Sequence, residues 1–357
     1  MAGPQRSVSV ALVVVVALVA LLAAGRWLQP QLGGRAKAPA TTSPAPTTPA
    51  PTDPAPASPT VATDRPAGPS PIRRVVATSS PVDAIAVTRQ AVWLAVGGLV
   101  LRVDPATGRA LVVPEVEDGA PVVDLAAGAG AVWAVTSAAG LLRIDQGTAR
   151  LTAPNPGPVS AVAVGAGGVW AVCCQGRGRR GRVTRLDPVS CRVITTIGLP
   201  ARPLAVGAGP DAVWIRGAEG WLWRVDPAYG RQAEAIRLAT VPGGAELAGE
   251  LVVAGTAVWF TDPGPGVVRR VDLRRGTEKR WKADGRDLAV TSAGTVWATS
   301  DARLLGLGGP RPRGPRRTLR ELHTDRITAV AAATDGGLWL GTAQGLFHVD
   351  PSVLGQR

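Results

Sequence analysis

The sequence is poor in the residues that usually build active sites and metal centres. Only two His and three Cys occur among 357 residues, and aromatic content is 4%, with two Phe and one Tyr. Cys173, Cys174 and Cys191 are too few for a disulfide framework, and their spacing matches no zinc motif. A Cys174–Cys191 bridge is the one disulfide left open. No phosphate-binding loop and no Ser–His–Asp pattern is present.

Lysine is also scarce, so Arg supplies nearly all of the 39 basic residues behind the net charge of +13. Together with abundant Ala, Gly and Pro, this is typical of codon bias in a GC-rich bacterial genome. The high pI is therefore no evidence for nucleic-acid binding, and no aromatic side chains interleave the Arg runs as stacking platforms. We expect no nucleic-acid partner and no resident cofactor, although a divalent cation stays open.

The N-terminal residues 1–34 predict a short cytoplasmic stub and a transmembrane signal anchor. Residues 8–24 form an apolar run of 17 residues without charge, preceded by Arg6 and followed by Arg26 and Trp27. A cleaved signal peptide, and hence a secreted protein, is the alternative. Both interpretations place the rest of the chain outside the cytoplasm, at the cell membrane if the anchor is retained.

Residues 35–71 form a Pro/Thr/Ala-rich segment with eleven Pro and seven Thr. Such a composition cannot bury a core and favours extended polyproline II. The sequence therefore predicts a disordered stalk between the anchor and a folded domain at residues 72–357.

Seven related units follow residue 82. Each has a small apolar run, a Trp, a Gly-containing turn and an apolar run that commonly ends in Arg-x-Asp. The repeated Trp residues are Trp93, Trp133, Trp170, Trp214, Trp259, Trp297 and Trp339. Their mean spacing of about 41 residues matches one four-stranded propeller blade.

The repeats predict an all-β, seven-bladed propeller of four-stranded blades. Small residues line the axis, and each Trp fills the wedge between two blades. Asp104, Asp187, Asp226 and Asp350 precede Pro, so we interpret them as turn residues. The last unit lacks a fourth strand, and the segment at 72–78, IRRVVAT, is expected to complete it.

Units such as AVWLAV…VLRVDPATG and GLWLGTAQGLFHVDP resemble the repeats of bacterial propellers of the streptogramin (virginiamycin B) lyase, YVTN, NHL and two-component-regulator types. The resemblance covers residues 72–357. It implies the fold, and it says little about function because the matched residues are structural.

Carboxylates are predicted at the mouth of the central channel. Aligning the units on Trp places Asp124, Glu250 and Asp287 at the start of the innermost strand, with Asp83 beside the corresponding position of unit one. Such a cluster suits a cation or a cationic ligand. The alternative is that these side chains bond only to water and to neighbouring strands.

An Arg-rich loop follows the Trp of unit three and contains Arg177, Arg179, Arg180 and Arg182. It could dock an anionic partner, such as a cell-wall polymer, or be a solvated insertion. The whole chain is therefore interpreted as a membrane-anchored binding or scaffold module of the bacterial cell envelope, with an envelope protein as another candidate partner.

The alternative is a metal-dependent lyase. The resemblance to streptogramin lyase implies His, Glu and a divalent metal near the axis. Here His348 occupies a repeat position that is Arg in other units, which leaves His323 as the weak candidate for a general base. Since one His falls short of that constellation, a binding role is favoured over an enzyme.

Overall fold

The computed structural model describes residues 71–113, 120–137, 140–174, 180–239, 247–308, 317–319 and 326–354. All of them belong to one compact unit, Arg65–Arg357. No helix long and apolar enough to cross a membrane occurs in these ranges, and the apolar run at 8–24 and the stalk lie outside them.

The described residues form seven four-stranded antiparallel sheets, which confirms the predicted seven-bladed propeller. The first three blades are β2 (Val82–Val87), β3 (Val92–Val96), β4 (Leu99–Val103), β5 (Ala110–Val112); β6 (Val122–Gly128), β7 (Ala131–Thr136), β8 (Gly140–Asp145), β9 (Leu151–Thr152); and β10 (Ala161–Gly165), β11 (Gly168–Cys174), β12 (Gly181–Leu186), β13 (Val193–Leu199).

Blades four to six continue the same order. Their strands are β14 (Pro203–Ala208), β15 (Val213–Gly217), β16 (Trp221–Asp226), β17 (Arg231–Arg237); β18 (Leu251–Ala254), β19 (Ala257–Asp262), β20 (Val267–Asp272), β21 (Glu278–Lys282); and β22 (Leu288–Val290), β23 (Val296–Ser300), β24 (Arg303–Gly308), β25 (Arg317–Leu319).

The two ends of the chain meet in the seventh blade. It contains β26 (Ile327–Ala332), β27 (Leu338–Thr342) and β28 (Gly345–Val349), and the N-terminal strand β1 (Ile72–Ala77) pairs antiparallel with β28. The expected closure by the segment at 72–78 is thus observed. It covers a sheet edge that would otherwise expose unpaired backbone groups.

Each repeated Trp lies in an apolar cluster shared by two successive blades. Trp93 packs with Val122 and Leu125 of blade two, and Trp339 packs with Val82 and Leu94 of blade one. All seven repeated Trp residues are at most 5% exposed. Because such clusters join every pair of neighbouring blades, the core is a ring of interfaces around the axis.

One end of the disc, here named the turn face, carries the aspartates that end the third strands. Asp187 Oδ1 accepts hydrogen bonds from the N–H groups of Val189 and Ser190, at 3.1 and 2.7 Å. The same turn geometry recurs at Asp104, Asp145, Asp226, Asp272 and Asp350. Recurrence identifies these carboxylates as structural.

The Arg of the Arg-x-Asp pattern reaches the next blade. Arg143 Nε donates to the Pro188 carbonyl at 3.2 Å, and Arg185 Nη1 donates to the Pro227 carbonyl at 2.7 Å. Both acceptors lie in the Asp-Pro turn of the following blade. The repeat therefore encodes a bond between blades as well as a turn.

Candidate functional site

The seven innermost strands, β2, β6, β10, β14, β18, β22 and β26, surround a central channel of about 750 Å³. Residues of these strands line it, and several of their aliphatic side chains, such as Leu125, Val206 and Val330, are buried in apolar clusters. The end at which these strands begin is named the mouth face. Asp83, Asp124, Glu250, Arg286 and Asp287 line the channel there.

Two of the mouth carboxylates also join neighbouring blades. Asp124 Oδ2 accepts a hydrogen bond from the Val162 N–H of blade three at 2.8 Å. Asp287 Oδ2 accepts one from the Val330 N–H of blade seven at 2.7 Å, and its Oδ1 accepts one from Leu288 N–H at 2.8 Å. Both side chains therefore hold the next innermost strand, and part of their presence at the mouth is structural.

Glu250 is placed differently. It immediately precedes β18, and its carboxylate accepts a hydrogen bond from the N–H of Leu251, the next residue in its own blade. Its backbone N–H, in contrast, bonds to Thr261 Oγ1 at 2.8 Å and to the Arg286 carbonyl at 3.1 Å. Unlike the carboxylates of Asp124 and Asp287, this one makes no bond to a neighbouring blade in the described part of the chain, which leaves it suited to bind something else.

The three carboxylates hold protons more tightly than ordinary acids. Burial raises the pKa of Asp124 to about 6 and that of Asp287 to about 7. Burial also raises the pKa of Glu250 well above its usual value, with further increases from the negative charges of Asp287 and Asp124. Deprotonating all three near neutral pH thus places repelling charges together, which an incoming cation would relieve.

Asp83 lies at the edge of this cluster. It is exposed, and partial burial raises its pKa although the Gly97 N–H opposes the change. Arg286 is exposed and is the only basic side chain among the described residues that line the channel. In blade four the strand register places Ala205 opposite Arg216, so Ala205 is the residue at the mouth position of that blade.

Within the described ranges, no group of three or more His, Cys, Asp and Glu side chains is arranged to hold a metal ion. Asp124 and Asp287 direct oxygens to backbone N–H groups, which reduces their capacity as ligands. The weak catalytic candidate His323 lies outside the described residues. His348 is buried, 3.0 Å from Asp335 Oδ2 and packed on Trp339, as a structural side chain would be.

The predicted Arg-rich docking loop is described only in part. Arg182 Nη2 donates to the carbonyls of Pro156 and Pro158 at 2.9 and 3.4 Å, so its guanidinium holds an adjacent loop. Arg180 is exposed, whereas Arg177 and Arg179 lie outside the described residues. An anionic partner for this loop remains a prediction.

The Cys174–Cys191 disulfide, which the sequence left open, does not form. Cys174 pairs with Gly181 at the mouth end of blade three, whereas Cys191 follows Asp187 at the turn face. The strand between them, Gly181–Leu186, spans roughly 16 Å, well beyond the reach of a disulfide. Cys191 is a free thiol.

A buried ion network between blades four and five was missed by the sequence reasoning. Asp262 lies between Arg216 and Arg269, and all three residues are at most 6% exposed. Arg269 also pairs with Glu278 at 2.8 Å. The available signal was Arg216 itself, which occupies a position that is Val135 in blade two.

No family model and no curated protein matches the chain. Two solved structures of the extracellular domain of BT4673 from B. thetaiotaomicron, described as a hybrid two-component system and as a one-component system, superpose with TM-scores of 0.60 and 0.61 at 16% identity. The alignments cover 78% of this chain and 39% of theirs, so the chain spans about two fifths of their length. The likeness shows a shared propeller fold.

Proposed function

We propose that this chain is a binding module of the bacterial cell envelope, anchored through residues 8–24 and carrying its propeller outside the cytoplasm. The apolar run and the stalk composition support this placement. The likeness to an extracellular domain of a two-component system agrees with it. Proteolysis of intact cells tests it, since loss of the propeller from intact cells is expected and full protection would contradict it.

The ligand site of the proposal is the mouth of the channel, and the ligand is a small organic cation. The single observation that carries this is the Glu250 carboxylate, which faces a 750 Å³ channel beside two further carboxylates whose pKa values are raised. A volume of this size is typical of sites for small molecules.

The chemistry of the channel narrows the ligand class. The mouth offers mainly hydrogen-bond acceptors, which favours primary ammonium groups. No aromatic side chain is found among the described lining residues, so an aromatic cage for quaternary ammonium does not form there. A metal-dependent lyase would need a metal ligand set, which the described residues do not supply.

The test is isothermal titration calorimetry of the full-length chain with spermidine at neutral pH. Glu250→Gln is expected to weaken spermidine binding about tenfold or more, because it removes one charge-assisted contact. Asp226→Asn, on the turn face, is the matched control and should bind like the wild type. Tetramethylammonium and Ca²⁺ should bind more weakly than spermidine. Equal spermidine affinity in wild type and Glu250→Gln would end the proposal.

A further inference from the structure

Thr261 is a fully buried hydroxyl at the mouth end of β19. Its Oγ1 accepts a hydrogen bond from Glu250 N–H at 2.8 Å and donates one to the Arg286 carbonyl at 2.9 Å. Arg286 belongs to the next blade and immediately precedes Asp287. Together with the direct bond from Glu250 N–H to the Arg286 carbonyl at 3.1 Å, this side chain joins the backbones that carry two of the mouth carboxylates.

The backbone beside Thr261 leaves little room for another arrangement. A Cβ added at Gly249 would lie 2.3 Å from Thr261 Oγ1 and 2.9 Å from its carbonyl oxygen, so only glycine fits there. Arg216 Nη1 donates to the Leu247 carbonyl at 3.1 Å and fixes the chain that leads to Glu250. The segment before β18 is thus held from two sides.

Blade six offers a natural comparison. Thr299 occupies the equivalent position opposite Asp287, whose N–H donates to Thr299 Oγ1 at 3.3 Å. The Thr299 hydroxyl returns to the Asp287 carbonyl of its own blade at 3.4 Å, whereas the Thr261 hydroxyl crosses to the next blade. The Thr261 bridge therefore does more than satisfy a strand end.

We propose that Thr261 is a positioning residue that sets the distance between the Glu250 and Asp287 carboxylates and thereby the affinity of the mouth for organic cations. This inference rests on the proposed function. A loosened bridge would let the two carboxylates move apart, which weakens their joint attraction for one ammonium group and also their mutual repulsion.

The experiment measures spermidine affinity of the full-length chain as a function of pH for Thr261→Val, Thr261→Ala and Thr261→Ser. The Val and Ala variants are expected to bind about tenfold more weakly, with the midpoint of the pH dependence moved to lower pH. Thr261→Ser keeps the hydroxyl and should stay within about twofold of wild type. Asp83, Asp124 and Arg286, the other charged groups that line the mouth in the described ranges, are unchanged in all variants.

Thr184→Val is the matched control, because it is a buried threonine whose hydroxyl pairs with Thr196 in blade three, outside the channel lining, and it should leave the midpoint in place. If Thr261→Val does not fold, the comparison of Thr261→Ala with Thr261→Ser is decisive. Equal spermidine affinity and equal midpoints of the pH dependence in these two variants would overturn the inference. Glu250→Gln separates the two ideas. If Glu250→Gln loses spermidine binding while the Thr261 variants keep it, only the positioning role of Thr261 fails. If Glu250→Gln binds spermidine normally, the proposed function fails.

Discussion

The turn face and the mouth face of the propeller carry carboxylates in opposite environments. At the turn face, backbone N–H groups lower the pKa of Asp104, and the Ser190 N–H and hydroxyl do the same for Asp187, because both side chains are exposed and their charge is stabilised. At the mouth face, burial raises the pKa values of Asp124, Glu250 and Asp287. The same residue types thus build structure at one face and a potential binding site at the other.

The comparison shows how to distinguish repeat residues from functional ones in a propeller. Turn-face aspartates recur in six blades and make the same two-residue turn bonds. Among the described residues, mouth carboxylates line the channel in four blades, and the Glu250 carboxylate accepts a backbone hydrogen bond from Leu251 of its own blade. Irregularity within a regular ring therefore carries more functional information than the conspicuous Asp-Pro pattern.

Opening the ring should have the largest effect, because the mouth exists only when seven blades close around the axis. A chain beginning at residue 82 loses β1 and the Arg73 contact with the Pro105 carbonyl. Its melting temperature should fall by about 10 °C or more relative to a chain beginning at residue 71. Calorimetry measures this, and equal melting temperatures would show that β1 is not needed for closure.

Glu250→Gln should alter the pH dependence of stability. Between pH of about 4 and 7 the folded mouth holds more protons than the unfolded chain, so its contribution to stability falls as pH rises. Removing one charge should raise the melting temperature by about 3 °C at pH 8 and leave it unchanged near pH 4. Thermal melts of both proteins across this range are the measurement. An equal change in melting temperature at every pH would mean that the substitution does not relieve repulsion between the mouth carboxylates.

Substitutions at the turn face should have the smallest effect. Asp187→Ala removes three hydrogen bonds from one exposed turn, and the melting temperature should fall by about 3 °C or less. The contribution of Asp187 is present above its ordinary pKa and disappears as pH falls, opposite in sign to that of the mouth. Spermidine affinity should not change. A loss of affinity would break the distinction between the two faces.

The fold was predictable from the sequence because one residue type marks each blade. The buried Trp side chains fill the wedges between blades, and the Asp turns recur at the same spacing because each Asp bonds to its own turn. The acidic positions were predictable from the same alignment. The period of the repeat was sufficient to predict that these residues lie at the start of the innermost strands.

The contacts that distinguish the mouth carboxylates could not be predicted from the sequence. The bond from Val162 N–H to Asp124 joins residues far apart in the chain, and it depends on how neighbouring strands are offset. The Thr261 bridge and the Arg216–Asp262–Arg269 network likewise depend on contacts between blades.

The most direct test of the central claim is a ¹³C NMR titration of the side-chain carboxyls, assigned with Asn and Gln variants. We expect Asp124 and Asp287 to titrate near 6 and 7 and Glu250 well above the usual range of a glutamate, whereas the pKa values of Asp104 and Asp187 lie below the usual range of an aspartate. Addition of spermidine should lower the pKa values of the mouth carboxylates and leave the turn-face aspartates unchanged. Titration of both sets at the same ordinary values, with no response to spermidine, would contradict the account.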